Sequence, residues 1–159
     1  VTFLSWLSQT PLAAWARGSD SIWGYPTILF LHTFGLAILV GLTTAIDFRV
    51  LGFTEHVPLA LLDRFFRFVW LGFWINAVSG VLLLMITPTK AQNPIFFIKM
   101  ALIVVGVVNM WAMRRQVFRK SGIAASGSFT GKMLAVTSLV VWAAAITAGR
   151  LMAYLGNTR

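Results

Sequence analysis

The sequence predicts an all-α fold: an integral membrane four-helix bundle with an N-terminal interfacial helix. Three observations lead there. Apolar residues make up 58% of the chain and charged ones only 11%, whereas soluble domains carry about one quarter charged residues. The apolar residues gather into four runs, each near the ~20 residues that a helix needs to cross a bilayer. None of these runs alternates apolar with polar residues in the ~10-residue segments of a membrane β-strand.

The elements follow in order. Residues 1–16 are too short and too interrupted to span. Phe3, Leu4, Trp6, Leu7, Leu12 and Trp15 fit an interfacial amphipathic segment, with Pro11 expected to break it. Without a charged n-region or a clear cleavage site, the segment does not read as a secretory signal. The first span is expected near Tyr25–Phe48, with Pro26 in its first turn, where a missing N–H costs nothing. The second is expected near Phe65–Thr87 and ends at Thr87-Pro88. Asn93-Pro94 then opens a third span near Ile95–Met113. Gly122 to Gly131, rich in Gly, Ser and Ala, is read as a flexible approach to a fourth span near Lys132–Leu155. The whole chain, 1–159, reads as one membrane domain without internal repeats.

Orientation is expected from the Lys/Arg distribution. On the side holding the loops that join spans one to two and three to four lie Arg49, Arg64, Arg67, Arg114, Arg115, Arg119, Lys120 and Lys132. The opposite side has Arg17, Lys90 and Arg159, with Lys99 and Arg150 slightly inside the spans. The basic loops are therefore expected in the cytoplasm, and both termini in the periplasm of a bacterial inner membrane. The net charge of +9 belongs to this rule and to anionic headgroups, not to nucleic acid. Trp23, Tyr25, Trp70, Trp111 and Tyr154 sit near span ends, as an aromatic belt does. Cysteine is absent, which removes disulfides, thiolate metal sites and thiol catalysis.

Polar residues at membrane depth mark the candidate sites. His32, Thr43 and Asp47 fall within roughly 60° of one another on the first span at 100° per residue. Counted from the outer boundary, His32 lies about 10 Å deep, and Lys99 and Met100 about 8 Å deep. Arg150 reaches a similar level, and Met85 is close to the outer end of the second span. An imidazole, two cations and a thioether could thus meet in one outer-leaflet layer. One reading is a pocket for an anionic or redox cofactor, with His32 as metal ligand and Lys99 and Arg150 holding carboxylates. The other is snorkelling of the two cations to headgroups, with His32 bonded to a carbonyl or hydroxyl. A bis-histidine haem is disfavoured because His56 belongs to the opposite loop. A His/Met haem would need Met85 or Met100, although methionines in such helices mostly serve packing.

A second polar layer is expected nearer the cytoplasm, from Asp47, Arg49, Asn109, Arg114 and Lys132. There Asp47 is expected to pair with a cation as a structural clamp, in preference to a proton relay. Gly72, Asn76, Ser79 and Gly80 share one sector of the second span and read as a packing face. Small residues there permit close helix approach, and Asn76 can bond across the bundle. The chain has no P-loop, His-Glu-x-x-His motif, nucleophile elbow or acidic metal cluster. Four carboxylates in all leave little room for paired-acid hydrolysis. Four spans without repeats or broken mid-helices do not match alternating-access transport.

Three stretches carry a family likeness: LHTFGLAILVGLTTAIDFRVLG (Leu31–Gly52), NPIFFIKMALIVVGVVN (Asn93–Asn109) and SLVVWAAAITAGRLMAY (Ser138–Tyr154). With the opening FLSWLSQTPLAAWAR, they resemble an uncharacterised family of small bacterial four-span membrane proteins. The His-x-x-Gly helix, and the later helix entered through Asn-Pro with an early Lys, are more weakly similar to copper-resistance D membrane proteins. They are similar too to the haem-containing bacterial protoporphyrinogen oxidase. That likeness implies that His32 matches a helix-one histidine and Lys99 a helix-three lysine. The chain departs from the oxidase in having no histidine in its last three spans.

Two functions are therefore expected. The first is a non-catalytic accessory subunit of a larger respiratory or photosynthetic membrane complex, burying lipid or pigment edges against its Trp- and Phe-rich faces. Its partners would be the lipid bilayer and either membrane-protein subunits or further copies of itself. The alternative is a redox-cofactor protein binding haem b or a related tetrapyrrole near His32.

Overall fold

The computed structural model describes residues 6–18, 21–54, 56–119 and 128–155 of the chain. Every regular element among them is helical. They are α1 (Pro11–Gly18), α2 (Tyr25–Leu51), α3 (Leu59–Ile86), a 3-10 turn (Pro88–Gln92), α4 (Pro94–Met113), a π-helical turn (Arg114–Arg119) and α5 (Phe129–Leu155). The four long helices are apolar enough to cross a bilayer, with mean hydropathies of 1.6 to 2.1 in their greasiest stretches, of which only 17–33% is buried. Helices apolar on every side yet mostly uncovered by protein require lipid around them.

Local chemistry sets the helix ends. Gly52, with φ of 100°, closes α2 in the left-handed conformation that favours glycine. Its N–H reaches the Arg49 carbonyl, the Phe53 N–H reaches the Phe48 carbonyl, and the two phenyl rings meet edge to face at 5.8 Å. Both bonds and the apolar contact are those of a Schellman cap. At the start of α4, Asn93 Oδ1 accepts the Ile95 N–H at 2.9 Å while Pro94 occupies the first turn. Such a cap satisfies an N–H that the helix itself leaves open. Ser128 Oγ likewise accepts the Gly131 N–H before α5. The glycine-rich approach to that helix falls mostly on residues 120–127, outside the described residues.

Two boundaries differ from expectation. Helix α3 starts at Leu59, well before Phe65, because charge at Asp63, Arg64 and Arg67 limits the lipid-crossing stretch without limiting the helix. Leu62 in those extra turns is buried, as is Phe66 just beyond them. Beyond Met113 the chain continues into the π-helical turn, which buries Val117 and sets Phe118 edge-on against Phe66 at 5.2 Å. Pro11 opens α1 instead of breaking it, since the Thr10 hydroxyl accepts the Ala13 N–H ahead of it. Helix α1 lays Ala13 and Ala16 against Ile28, Leu82, Met85 and Ile86. Its Arg17 guanidinium donates to the last carbonyls of α3, Met85 and Ile86. Trp6, Leu12 and Trp15 stay exposed.

Helix α2 is the hub, packed closely on α3 and on α5, and α5 packs in turn on α4. Helices α3 and α4, although consecutive, are not closely packed on each other. They approach chiefly through the π-helical turn at the arginine-rich end. Gly35 and Gly72 set the α2–α3 contact, and Gly106 receives the Trp142 ring at the α4–α5 contact. The main core runs between Leu39, Phe66, Val69, Met110 and Trp142.

Candidate functional site

The polar side chains of the bundle form two separate layers. The first lies beyond the Gly35–Gly72 contact, towards the end that carries α1. There His32 faces α3. Its Nδ1 is 3.0 Å from the Asn76 backbone carbonyl and 3.2 Å from Ser79 Oγ. A carbonyl only accepts, so Nδ1 carries the hydrogen and, in a neutral ring, Nε2 is left as the basic nitrogen. The Asn76 amide returns a bond to the His32 carbonyl at 2.7 Å, and Ser79 Oγ donates to the Ile75 carbonyl. Gly80 makes room for the ring: a Cβ there would stand 3.1 Å from His32 Cε1.

Lys99 of α4 completes this layer. Its half-buried stem lies over Gly149 of α5, where a Cβ would meet Nζ at 3.6 Å. It is close enough to act electrostatically on His32, and Lys90 of the 3-10 turn is close enough to act on Lys99. Among the described residues no hydrogen bond or ion pair engages the Lys99 ammonium. The two described acids, Asp47 and Asp63, lie towards the other end of the bundle.

The expected five-residue layer is therefore only partly assembled. His32 and Lys99 are near enough to interact electrostatically. Met85 is held under α1 with Leu12, Ala16 and Ile28, away from the imidazole. Met100 is on an exposed face of α4, and Arg150 is exposed on α5. Neither methionine is placed as a second axial ligand to His32. Among the described residues no three His, Asp or Glu side chains converge on a metal position, and His56 lies in the loop at the opposite end. Asn76, Ser79 and Gly80, read from sequence as packing, are the groups that fix the imidazole. Their shared sector with Gly72 was the available signal.

The second layer departs from expectation more sharply. Asp47 is buried, and its Oδ2 has no hydrogen-bond partner among the described residues. The side chain that approaches the carboxylate is Ser138 of α5. No cation among the described residues pairs with it, so the expected clamp is not formed. Arg49 donates instead to the Val57 carbonyl at 2.6 Å. Arg114 pairs with Asp63 at 3.4 Å and lies over the Phe66 ring. Each guanidinium is held by a nearer partner at the rim, where water and headgroups share its solvation.

Four apolar helices of spanning length, joined in antiparallel order, define a multi-pass helical membrane protein. More narrowly, the chain belongs to a family of unknown function, DUF6644, whose model matches residues 5–155. No curated protein and no solved structure matches it, and the weaker likeness to copper-resistance D proteins and to the oxidase gains no support.

Proposed function

We propose that this protein is a non-catalytic accessory subunit of a larger assembly in the bacterial inner membrane, with both termini in the periplasm. In this reading it holds an anionic group, a lipid phosphate or a carboxylate, between His32 and Lys99 in the outer leaflet. The observation that carries the reading is a pair of groups able to bear positive charge with no described acid beside them: Lys99, lying over Gly149, is near enough to act electrostatically on His32, which packs on Gly80. At membrane depth an ammonium without a counter-ion is costly, and an anion supplies what the protein does not. A partner surface is supported by Trp74, exposed near the middle of α3 and not at the interface that tryptophan favours. Its neighbours Leu71, Val78 and Val81 extend the same exposed stripe.

The test is purification from native membranes in mild detergent, followed by native mass spectrometry. The expected result is co-migration with larger membrane proteins and a retained anionic lipid or cofactor, lost in Lys99→Ala and weakened in His32→Ala. A monodisperse protein with no retained anion would overturn the reading.

A second reading is favoured by one observation, the anchoring of Nδ1–H on the Asn76 carbonyl. Histidines that bind metals are commonly oriented in this way, with the other nitrogen presented to the ion. Haem b, or a related tetrapyrrole, would then take His32 as one axial ligand and Lys99 at a propionate. A Soret band that disappears in His32→Ala supports it, and a colourless protein after expression with added haem removes it.

A further inference from the structure

A cavity of about 10 Å³ lies in the second polar layer, walled by Thr43, Ile46, Asp47, Phe66, Asn109, Met110, Met113 and Ser138. That is about the least space that can hold one water. The unpartnered Oδ2 of Asp47, a residue 2% exposed, belongs to this wall. Three other oxygen-bearing side chains belong to the wall, which is otherwise apolar. Thr43 Oγ1 gives its hydrogen to the Leu39 carbonyl at 2.8 Å, which leaves its lone pairs available. Asn109 Nδ2 donates to the Leu134 carbonyl at 2.9 Å, which leaves Oδ1 without a donor among the described residues. Ser138 contributes its hydroxyl.

Charge decides what such a space can hold. A bare carboxylate this deep costs several kcal/mol unless something neutralises it. Among the described residues, no titratable or charged group faces Asp47 from any element packed on it. Helix α3 presents Phe66, α4 presents Asn109, Met110 and Met113, and α5 presents Ser138. On α2 itself Arg49 is turned to Val57, and Asp63 of α3 is engaged with Arg114. The neutralising partner must therefore be small, singly charged and suited to hard oxygen ligands.

We propose that the Asp47 cavity is a binding site for one monovalent cation. The occupant is either a proton carried on the carboxyl and shared with one enclosed water, or Na⁺ standing where that water would be. Both satisfy the same set: Asp47 supplies the negative charge, and Thr43, Asn109 and Ser138 supply neutral oxygens. Asp47 is about one helical turn from the end of α2, so the site exchanges with the arginine-rich side of the membrane.

Infrared difference spectroscopy of the full chain in nanodiscs, with and without Na⁺, tests this. A proton occupant gives a carboxylic-acid C=O band that is indifferent to Na⁺ and absent in Asp47→Asn. A Na⁺ occupant gives a carboxylate band and a melting temperature that both move with Na⁺ in wild type only. Ser138→Ala keeps the acid and removes one oxygen, which guards against failed folding of Asp47→Asn. It is expected to displace the C=O band, or to weaken the Na⁺ response several-fold. An ionised Asp47 insensitive to Na⁺, or a Ser138→Ala spectrum identical to wild type, overturns the proposal.

Discussion

Gly35 and Gly72 meet backbone to backbone: a Cβ on either would stand 2.9 Å from the other's carbonyl oxygen. Backbone cannot yield as a flexible side chain can. The pair therefore fixes how closely α2 and α3 approach, and with it the reach of His32 to Asn76 and Ser79. In lipid, helix association depends on such close packing because the surrounding tails are as apolar as the helices.

Gly35→Ala and Gly72→Ala are each expected to lower stability by about 2 kcal/mol, the scale of overpacking a close contact. The double variant should lose less than the sum, since either Cβ already separates the helices. At Gly41, on the same helix, an added Cβ would meet nothing within 4 Å. Gly41→Ala is expected to raise stability by about 0.5 kcal/mol through the lower entropy of its unfolded state. Reversible unfolding in mixed micelles reads all four.

The imidazole should keep its hydrogen on Nδ1 when the Asn76 side chain is removed, because the acceptor is a backbone carbonyl. Asn76→Ala is expected to cost about 1 kcal/mol, for its lost bond to the His32 carbonyl, with little change in ¹⁵N shifts of the ring. Gly80→Ala should do the reverse. Its Cβ presses on Cε1 and Nδ1 at 3.1 and 3.4 Å, so the ring must move and its ¹⁵N signals with it. Equal spectra for the two variants would contradict this division of labour.

The Asp63–Arg114 pair is half exposed, and exposed pairs contribute about 0.5 kcal/mol. Asp63→Asn is expected to lower stability by no more than that, and less at high salt. Arg114→Ala should cost more, about 1 kcal/mol, because its guanidinium also covers the Phe66 ring at 5.4 Å. Thermal melts in low and high salt separate the two: the difference due to charge fades with salt, and the Phe66 contribution persists.

The four spans were legible because lipid imposes a length and a composition on each run. Ends with side-chain chemistry, such as Asn93-Pro94, were legible too. The inward turn of His32 followed from the expense of an imidazole in hydrocarbon. Its partners were harder to read, because Asn76 and Ser79 recur at the same spacing in ordinary packing faces. Asp47 misled for another reason. Sequence places Arg49, Arg114 and Lys132 at its level, but rotation about each helix axis turns Arg49 and Arg114 to Val57 and Asp63. Level alone does not make an ion pair. The layer of Met85, Met100 and Arg150 was drawn from level in the same way, and level says nothing of which way a side chain faces.

Trp142 supplies the last prediction. The residue is 2% exposed, its Nε1 has no hydrogen-bond partner among the described residues, and a Cβ on Gly106 would stand 2.9 Å from Cζ2. An orphaned buried donor costs about 1–3 kcal/mol relative to an apolar group of similar shape. Trp142→Phe removes that donor and also empties part of the ring's volume, so the two effects oppose and stability should change by less than about 1 kcal/mol. Gly106→Ala alone should cost about 2 kcal/mol, because the indole is walled in and cannot retreat. When both substitutions are combined, the methyl added by Gly106→Ala enters the space vacated by the indole, so the double variant should recover most of that loss. A double-mutant cycle with a coupling of about 1 kcal/mol or more is the expected outcome. Strict additivity would mean that α4 and α5 shift apart freely at this level, and that the glycine is not what seats the tryptophan.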